Sequence, residues 1–563
     1  MRKLPFLFLL LRLYHAVAAL ETDTAKCSAT SFTHPSIPGA SILSIEAEEK
    51  HDVSTSSPFR TSPSVSNLHF CDVQVHLTHA GTNDRVLIRT WLPLSTSDWN
   101  GRFVATGGGG WSTGMFEPTL GPAVHFGYAA SSTDGGHQSD PGDVSWAVNT
   151  DGSINWHLLE NLASRSLVDE VLVGKRIAEQ YYGTAPHHSY WDGCSQGGRQ
   201  GYTIAQKYPK LVDGIHACAP ALDFVNMAMG SLWPQFVMNN ASTLMTQCEF
   251  APFIQAAVEQ CDLLDGVRDA IIEDPETCTL DPTTLVGERI QCDGEQFEIT
   301  PAMADIVNRI HRGPQTAFGS ALWHGYPHGT PMNWVANVKT IAEGIRSPDP
   351  FAVSSSFIRH LLVKNSAFNI SNLSYADYMS LWVQANEDYG YLLNANNPNL
   401  QALRDAGGKL LTWHGTSDEV IPYQSTLRYR QRVEAAMGGA KAVNEFYRVF
   451  LAPGLGHCGL GNGLMPTDAL QALVDWVEEG EAPETLEADA VDARGERMTR
   501  ELCAYPKKSK YMGIGDGSRA SSWACEGGEV DDEDELFDSK RDFVGGLKER
   551  LMRVGMDLGL SIG

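Results

Sequence analysis

The chain has 563 residues and a net charge of −26, with 42% hydrophobic and 20% charged residues, an ordinary globular composition that excludes a disordered protein. That length allows a large domain with a substantial insertion, or two or three domains. Lys and Arg are scattered without a run of five, so neither nucleic acid nor a membrane surface is an expected partner.

Residues 1–19 read as a cleaved signal peptide: Arg2 and Lys3, an apolar run to Leu11, then small residues from Ala16 to Ala19. A secreted, extracellular protein is therefore expected. No later segment reaches the roughly 20 uncharged residues that a membrane span requires. Eleven cysteines suggest disulfides, and the odd number leaves at least one outside any intrachain pair. Three Asn-X-Ser sequons, at Asn240, Asn369 and Asn372, fit the same compartment as glycosylation sites.

Between about 67 and 126, alternating runs such as Asp72-Val-Gln-Val-His-Leu-Thr predict antiparallel strands at a sheet edge. Strand signals at Gly101 to Thr106, Ser189 to Asp192 and from Gly214 are interleaved with helical ones over 157–182 and after Ser195. That order implies a parallel α/β sheet. Regular alternation stops from about 223 to 395, a stretch rich in Asn, Pro, Trp and Met that carries four cysteines. It reads as a lid, 225–395, inserted into a discontinuous catalytic domain of 20–224 and 396–527. Alternation resumes with a strand at Lys409 to His414, a helix from Ser425 to Met437, a strand from Glu445 to Leu451 and a helix from Pro466 to Glu479. The tail, 528–563, holds a self-repelling acidic block from Asp531 to Glu535 and is expected to be disordered.

Gly193-Cys194-Ser195-Gln196-Gly197 sits between a strand signal and a helix signal, the setting of a Gly-x-Ser-x-Gly nucleophile elbow. A serine hydroxyl needs a base, and in an α/β-hydrolase the partners follow in the order Ser, acid, His. Asp418, in the loop after a buried strand, and His457, in the loop after the next, meet that order at strand C-terminal ends, where open α/β sheets bind ligands. His414 and Glu419 are the nearby alternatives. An oxyanion hole needs fixed N–H donors, each worth about 3 kcal/mol in the transition state. Gln196 offers one from its backbone, and Gly108 and Gly109 of the Gly107 to Gly110 run are the expected second source.

Cys194 directly before the serine and Cys458 directly after the histidine make this arrangement resemble the tannase and feruloyl esterase family. The resemblance runs from about Cys27 to Cys525 and includes Ser132-Thr-Asp-Gly-Gly-His137, Arg312-Gly-Pro-Gln-Thr-Ala-Phe-Gly and His414-Gly-Thr-Ser-Asp418. It implies an α/β-hydrolase fold with a large inserted lid and a Cys194–Cys458 disulfide clamping the nucleophile and base loops together. It also implies pairs Cys27–Cys71, Cys261–Cys278 and Cys503–Cys525. Cys218, Cys248 and Cys292 are left over, and a further lid disulfide usual in the family is expected to be missing. In the lid, three carboxylates between Cys261 and Ile271 are spaced to wrap a hard cation or simply to form a solvated acidic loop. The resemblance favours a structural Ca2+ held by Asp262, Asp265 and Asp269 side chains with carbonyls from Val267 and Ile271, and no organic cofactor.

The resemblance implies hydrolysis of phenolic carboxylic esters, with feruloyl or related hydroxycinnamoyl esters of plant cell-wall polysaccharide slightly preferred over galloyl esters of tannins. Two alternatives stand beside it. One is an inactive secreted binding protein on the same scaffold, the other a peptidase of the same fold.

Overall fold

In the computed structural model the described residues are 27–292, 294–342, 345–492 and 494–527. The expected signal peptide and acidic tail lie outside them. The backbone of the molecule is a nine-stranded sheet: β1 (Ala40–Thr55), β2 (Val65–His79), β3 (Val86–Pro93), β4 (Arg102–Thr106), β5 (Ala129–Thr133), β6 (His188–Cys194), β7 (Gly214–Cys218), β8 (Lys409–Gly415) and β9 (Tyr447–Ala452). Its spatial order is β1-β2-β3-β5-β4-β6-β7-β8-β9. The first three strands and the β3–β5 pair are antiparallel, while β5, β4, β6, β7, β8 and β9 run parallel. This is the α/β-hydrolase fold.

Parallel strands covered on both faces must be apolar on both, and alternate side chains part accordingly. Trp191 and Ile215 face a core shared with α1 (Ser166–Tyr182), α2 (Gln196–Lys207) and α6 (Gln424–Met437). Tyr190 and Leu411 face the opposite core, with Leu473 and Trp476 of α7 (Ala469–Glu478). The helix expected over 157–182 is continuous but widens into a π turn at Asn161–Arg165 before α1 begins.

β1 has no counterpart in the sequence expectations. Its Ser-Ile-Glu-Ala-Glu-Glu-Lys composition is polar, and the strand lies at the sheet edge with most side chains half or fully exposed. Edge strands carry charge because it discourages pairing with another chain, so their hydrophobic signal is weak. Residues 485–526 follow the last strand of the main sheet. They form small separate sheets, Thr485–Val491 with Arg497–Cys503 and Lys508–Tyr511 with Trp523–Glu526, rather than extending the main one.

Between β7 and β8 lie three long helices, α3 (Gln247–Cys261), α4 (Pro301–Arg312) and α5 (Tyr375–Leu393), and two short hairpins. Their core is aromatic and Met-rich, and it takes in Trp111, Leu159, Val420 and Ile421 from the hydrolase half. The segment is thus seated on the loops at the C-terminal ends of the strands. Disulfides join Cys27–Cys71, Cys194–Cys458, Cys261–Cys278 and Cys503–Cys525. One expectation is overturned: the inserted segment has a second disulfide, Cys248–Cys292, where none was expected. The start of α3 and a short hairpin bring those cysteines to a Cα separation of 5.7 Å, a proximity across 44 residues that no sequence pattern encodes. Cys218 remains a buried free thiol.

Candidate active site

Ser195 sits between β6 and α2 with φ of 62°, a left-handed conformation that strains any residue but glycine. Close packing enforces the turn. A Cβ on Gly193 would come within 2.6 Å of the Gly197 backbone, and one on Gly107 within 2.3 Å of Gly197 Cα. The elbow is therefore wedged against the glycine run after β4, and three glycines are needed where two segments of main chain cross. The carbonyl of Ser195 accepts from Ala221 N at 3.1 Å, and its N–H donates to Cys218 O at 3.1 Å.

Asp418 and His457 follow β8 and β9. The Asp418 carboxylate is buried: Oδ1 accepts from Val420 N at 2.8 Å and Ile421 N at 2.7 Å, and Oδ2 lies 2.8 Å from His457 Nδ1. His414 Nε2 lies 3.2 Å from the same oxygen. Burial alone would raise the Asp418 pKa. The His457 charge and the hydrogen bonds from His414 and His457 outweigh it and hold the carboxyl well below its usual range. For His457, burial works against the imidazolium, but the charge and hydrogen bond of Asp418, with Glu419 adding to them, raise its pKa. The pair is thus arranged to stabilise a protonated histidine.

The Cys194–Cys458 disulfide, with Cα atoms 5.9 Å apart, ties the residue before Ser195 to the residue after His457. Among the described residues the Ser195 hydroxyl makes no hydrogen bond, to His457 or to any other group. Catalytic hydrogen bonds are often loose without substrate and tighten when it binds.

The expected oxyanion donors need one correction. Gly108 N–H donates to Gln200 Oε1 at 3.0 Å, and Gln200 Nε2 donates in turn to Thr113 O at 2.9 Å, so Gly108 is not free to bind an oxyanion. The N–H groups of Gln196 and Gly109 have no acceptor among the described residues. The glycine run is not a loose surface turn. Trp111 at its end is fully buried and donates to Val353 O of the inserted segment at 3.1 Å.

The acidic loop stands apart, closed by Cys261–Cys278. Asp262 Oδ1 accepts from Asp269 N and Ala270 N, Asp265 Oδ1 from Val267 N, and Asp269 Oδ1 from Ile271 N. Asp269 Oδ2 meets the Arg500 guanidinium at 2.6 Å. Because those oxygens are turned to other partners, the three carboxylates do not converge as closely as His187, His188 and Glu478, whose ligand atoms lie within 4.8 Å of one another. That second cluster is an ion-pair site: Glu478 Oε1 already accepts from Arg102 and Tyr190. The acidic loop does supply only hard oxygen donors with too few cations. Burial, with the charge of Asp269 adding to it, pushes Asp265 up to about 6. That donor chemistry fits Ca2+. The three sequon asparagines, Asn240, Asn369 and Asn372, are all exposed.

The family model described as tannase and feruloyl esterase matches residues 71–526. The chain belongs to this family. A probable feruloyl esterase of Arthroderma benhamiae is 43% identical over 534 residues, covering 93% of this chain and 98% of the relative. Feruloyl esterase B of Aspergillus niger is 30% identical, covering 82% of this chain and 87% of the relative. Among solved structures, the tannin acyl hydrolase from Aspergillus niger superposes with a TM-score of 0.82 at 25% identity, covering 90% of this chain and 96% of that one. Feruloyl esterase B from Aspergillus oryzae superposes with a TM-score of 0.73 at 26% identity, covering 90% and 100%. As a member of the tannase and feruloyl esterase family the protein is a carboxylic ester hydrolase.

Two parts of the site were not legible beforehand. Gln200 carries no motif, because its role in turning Gly108 away arises from a helix-to-loop crossing. His414 stood out only as an alternative base, and it is instead a second partner of Asp418.

Proposed function

We propose that the chain is a secreted esterase that releases phenolic acids, ferulic or other hydroxycinnamic acids, from plant cell-wall esters. The observation that carries the mechanism is the 2.8 Å contact of buried Asp418 with Nδ1 of His457, whose loop is bonded through Cys458 to the nucleophile elbow. Ser195 Oγ attacks the ester carbonyl as His457 Nε2 takes its proton, and the imidazolium formed is held by Asp418. The N–H groups of Gln196 and Gly109 receive the oxyanion. His457 returns the proton to the departing alcohol, then draws one from the water that attacks the acyl-enzyme and gives it to Ser195 Oγ as the carboxylic acid leaves. Asp262, Asp265 and Asp269, with carbonyls of Val267 and Ile271, would hold a structural Ca2+, which when bound would neutralise their charge. The basic, apolar and small-residue pattern of residues 1–19 supports export.

The preference for feruloyl esters rests on the names of relatives at 43% and 30% identity. A second reading, galloyl ester hydrolysis, is favoured by the TM-score of 0.82 to the tannin acyl hydrolase. Initial rates on methyl ferulate, methyl caffeate, methyl sinapate and methyl gallate separate the two, and turnover of the gallate alone would reject the first. Ser195→Ala is expected to lower kcat by about 10⁴-fold or more on whichever ester is cleaved. A wild-type rate in that variant would refute the mechanism.

A further inference from the structure

Glu419 follows the triad carboxylate in sequence, is 2% exposed, and has no role in the mechanism above. Its Oε2 accepts the backbone N–H of His457 at 3.0 Å. The contact is tight: a Cβ on Gly456 would meet that same oxygen at 2.9 Å. Two further bonds lace the loops together, Ser417 N to Leu455 O at 3.0 Å and Gly454 N to Thr416 Oγ1 at 3.0 Å. Consecutive residues 418 and 419 thus grip one histidine, by its ring and by its main chain.

We propose that Glu419 is a positioning residue for the general base, its carboxylate fixing the His457 main chain and placing a negative charge beside the imidazole. The inference rests on the triad reading above. A main-chain anchor matters because the disulfide restrains only the far side of His457, through Cys458. Without Glu419 the loop between Ala452 and His457 could pivot about Cys458 and swing Nε2 relative to Ser195. The titratable groups that face Glu419 are Asp418 and His457 on the paired loops and Tyr326 of the inserted segment. Burial and the Asp418 charge raise the pKa of Glu419, while its own charge contributes to raising that of His457.

Glu419→Gln keeps an oxygen acceptor and removes the charge, whereas Glu419→Ala removes both. Both are compared with wild type and Ser195→Ala for kcat, KM and the pH profile of kcat/KM, each rate being normalised to the folded fraction by circular dichroism. Glu419→Ala is expected to lose about tenfold or more in kcat with KM nearly unchanged, since a displaced base costs rate rather than binding. Glu419→Gln is expected to recover most of that loss, and in both variants the acid limb moves to lower pH because the imidazolium has lost a neighbouring anion. If Ser195→Ala is inactive while Glu419→Ala has the wild-type kcat and pH profile, the role of Glu419 is refuted and the triad stands. If Glu419→Gln is as slow as Glu419→Ala, the main-chain anchor is refuted. Activity surviving in Ser195→Ala overturns the triad reading itself.

Discussion

The hydrolase half and the inserted segment are held together by different means. In the first, parallel strands set the framework: the loops after β6, β8 and β9 inherit their positions from main-chain ladders, and short bonds such as Ser417 N to Leu455 O fix what remains. In the second, two disulfides and an aromatic core replace the ladder. Geometry needed to within a fraction of an ångström is therefore built mainly on the sheet, and the inserted segment reaches it at the glycine run, through the Trp111 bond to Val353 O.

The sharpest test of that division is the one disulfide that belongs to the catalytic rim. Cys194→Ala combined with Cys458→Ala is expected to lower kcat about 10- to 100-fold with little change in KM, because a displacement of the base by about 1 Å is costly. The sheet should stay folded, as circular dichroism would record. Unchanged kcat would mean that the ladders alone position His457 and that the bridge adds only stability.

The same division decides how much could be read in advance. The nucleophile elbow and the loops of Asp418 and His457 were legible because periodic apolar strands precede them and glycine marks the crossing at 193, 197 and 107. The Gly108 N–H bond to Gln200 has no signature in the sequence, because a glycine run shows where backbone can approach, not which N–H is already bonded. The Cys248–Cys292 bridge likewise has no sequence signature, because its partners are brought together by tertiary packing within the segment. β1 lacks one for the opposite reason, as an edge strand whose charged side chains erase the alternation.

Removing divalent metal probes the inserted half. Chelation with EDTA is expected to lower Tm by on the order of 5 °C, with Ca2+ restoring it, since a ligand bound only by the native state stabilises in proportion to its saturation. Asp265→Asn should shrink the chelation effect. Labelling of Ser195 by a fluorophosphonate at low temperature should survive chelation, because the acidic loop shares no bond with Ser195, Asp418 or His457 among the described residues. Loss of labelling under EDTA would show that the inserted segment shapes the rim after all, and would break the comparison.

The smallest effect is expected on the sheet side, far from the chemistry. His79, at the end of β2, is buried between two carboxylates, with Nδ1 2.6 Å from Asp84 and Nε2 2.8 Å from Asp169 of α1. Burial lowers its pKa, but the hydrogen bonds to Asp169 and Asp84 and the charge of Asp169 more than offset that, leaving it above 6.5. A histidine whose folded pKa is raised contributes stability in full below its unfolded pKa and loses it as pH rises through the folded one. The Tm should therefore decline from about pH 6.5 upward by a few degrees, and His79→Gln should start lower and flatten the slope. Because His79 joins the sheet to α1, the loss should appear in the main unfolding transition in calorimetry and not in a separate early one. A His79→Gln variant with an unaltered pH slope would remove the imidazolium from the account and leave the Asp84 and Asp169 pair to be explained by hydrogen bonding alone.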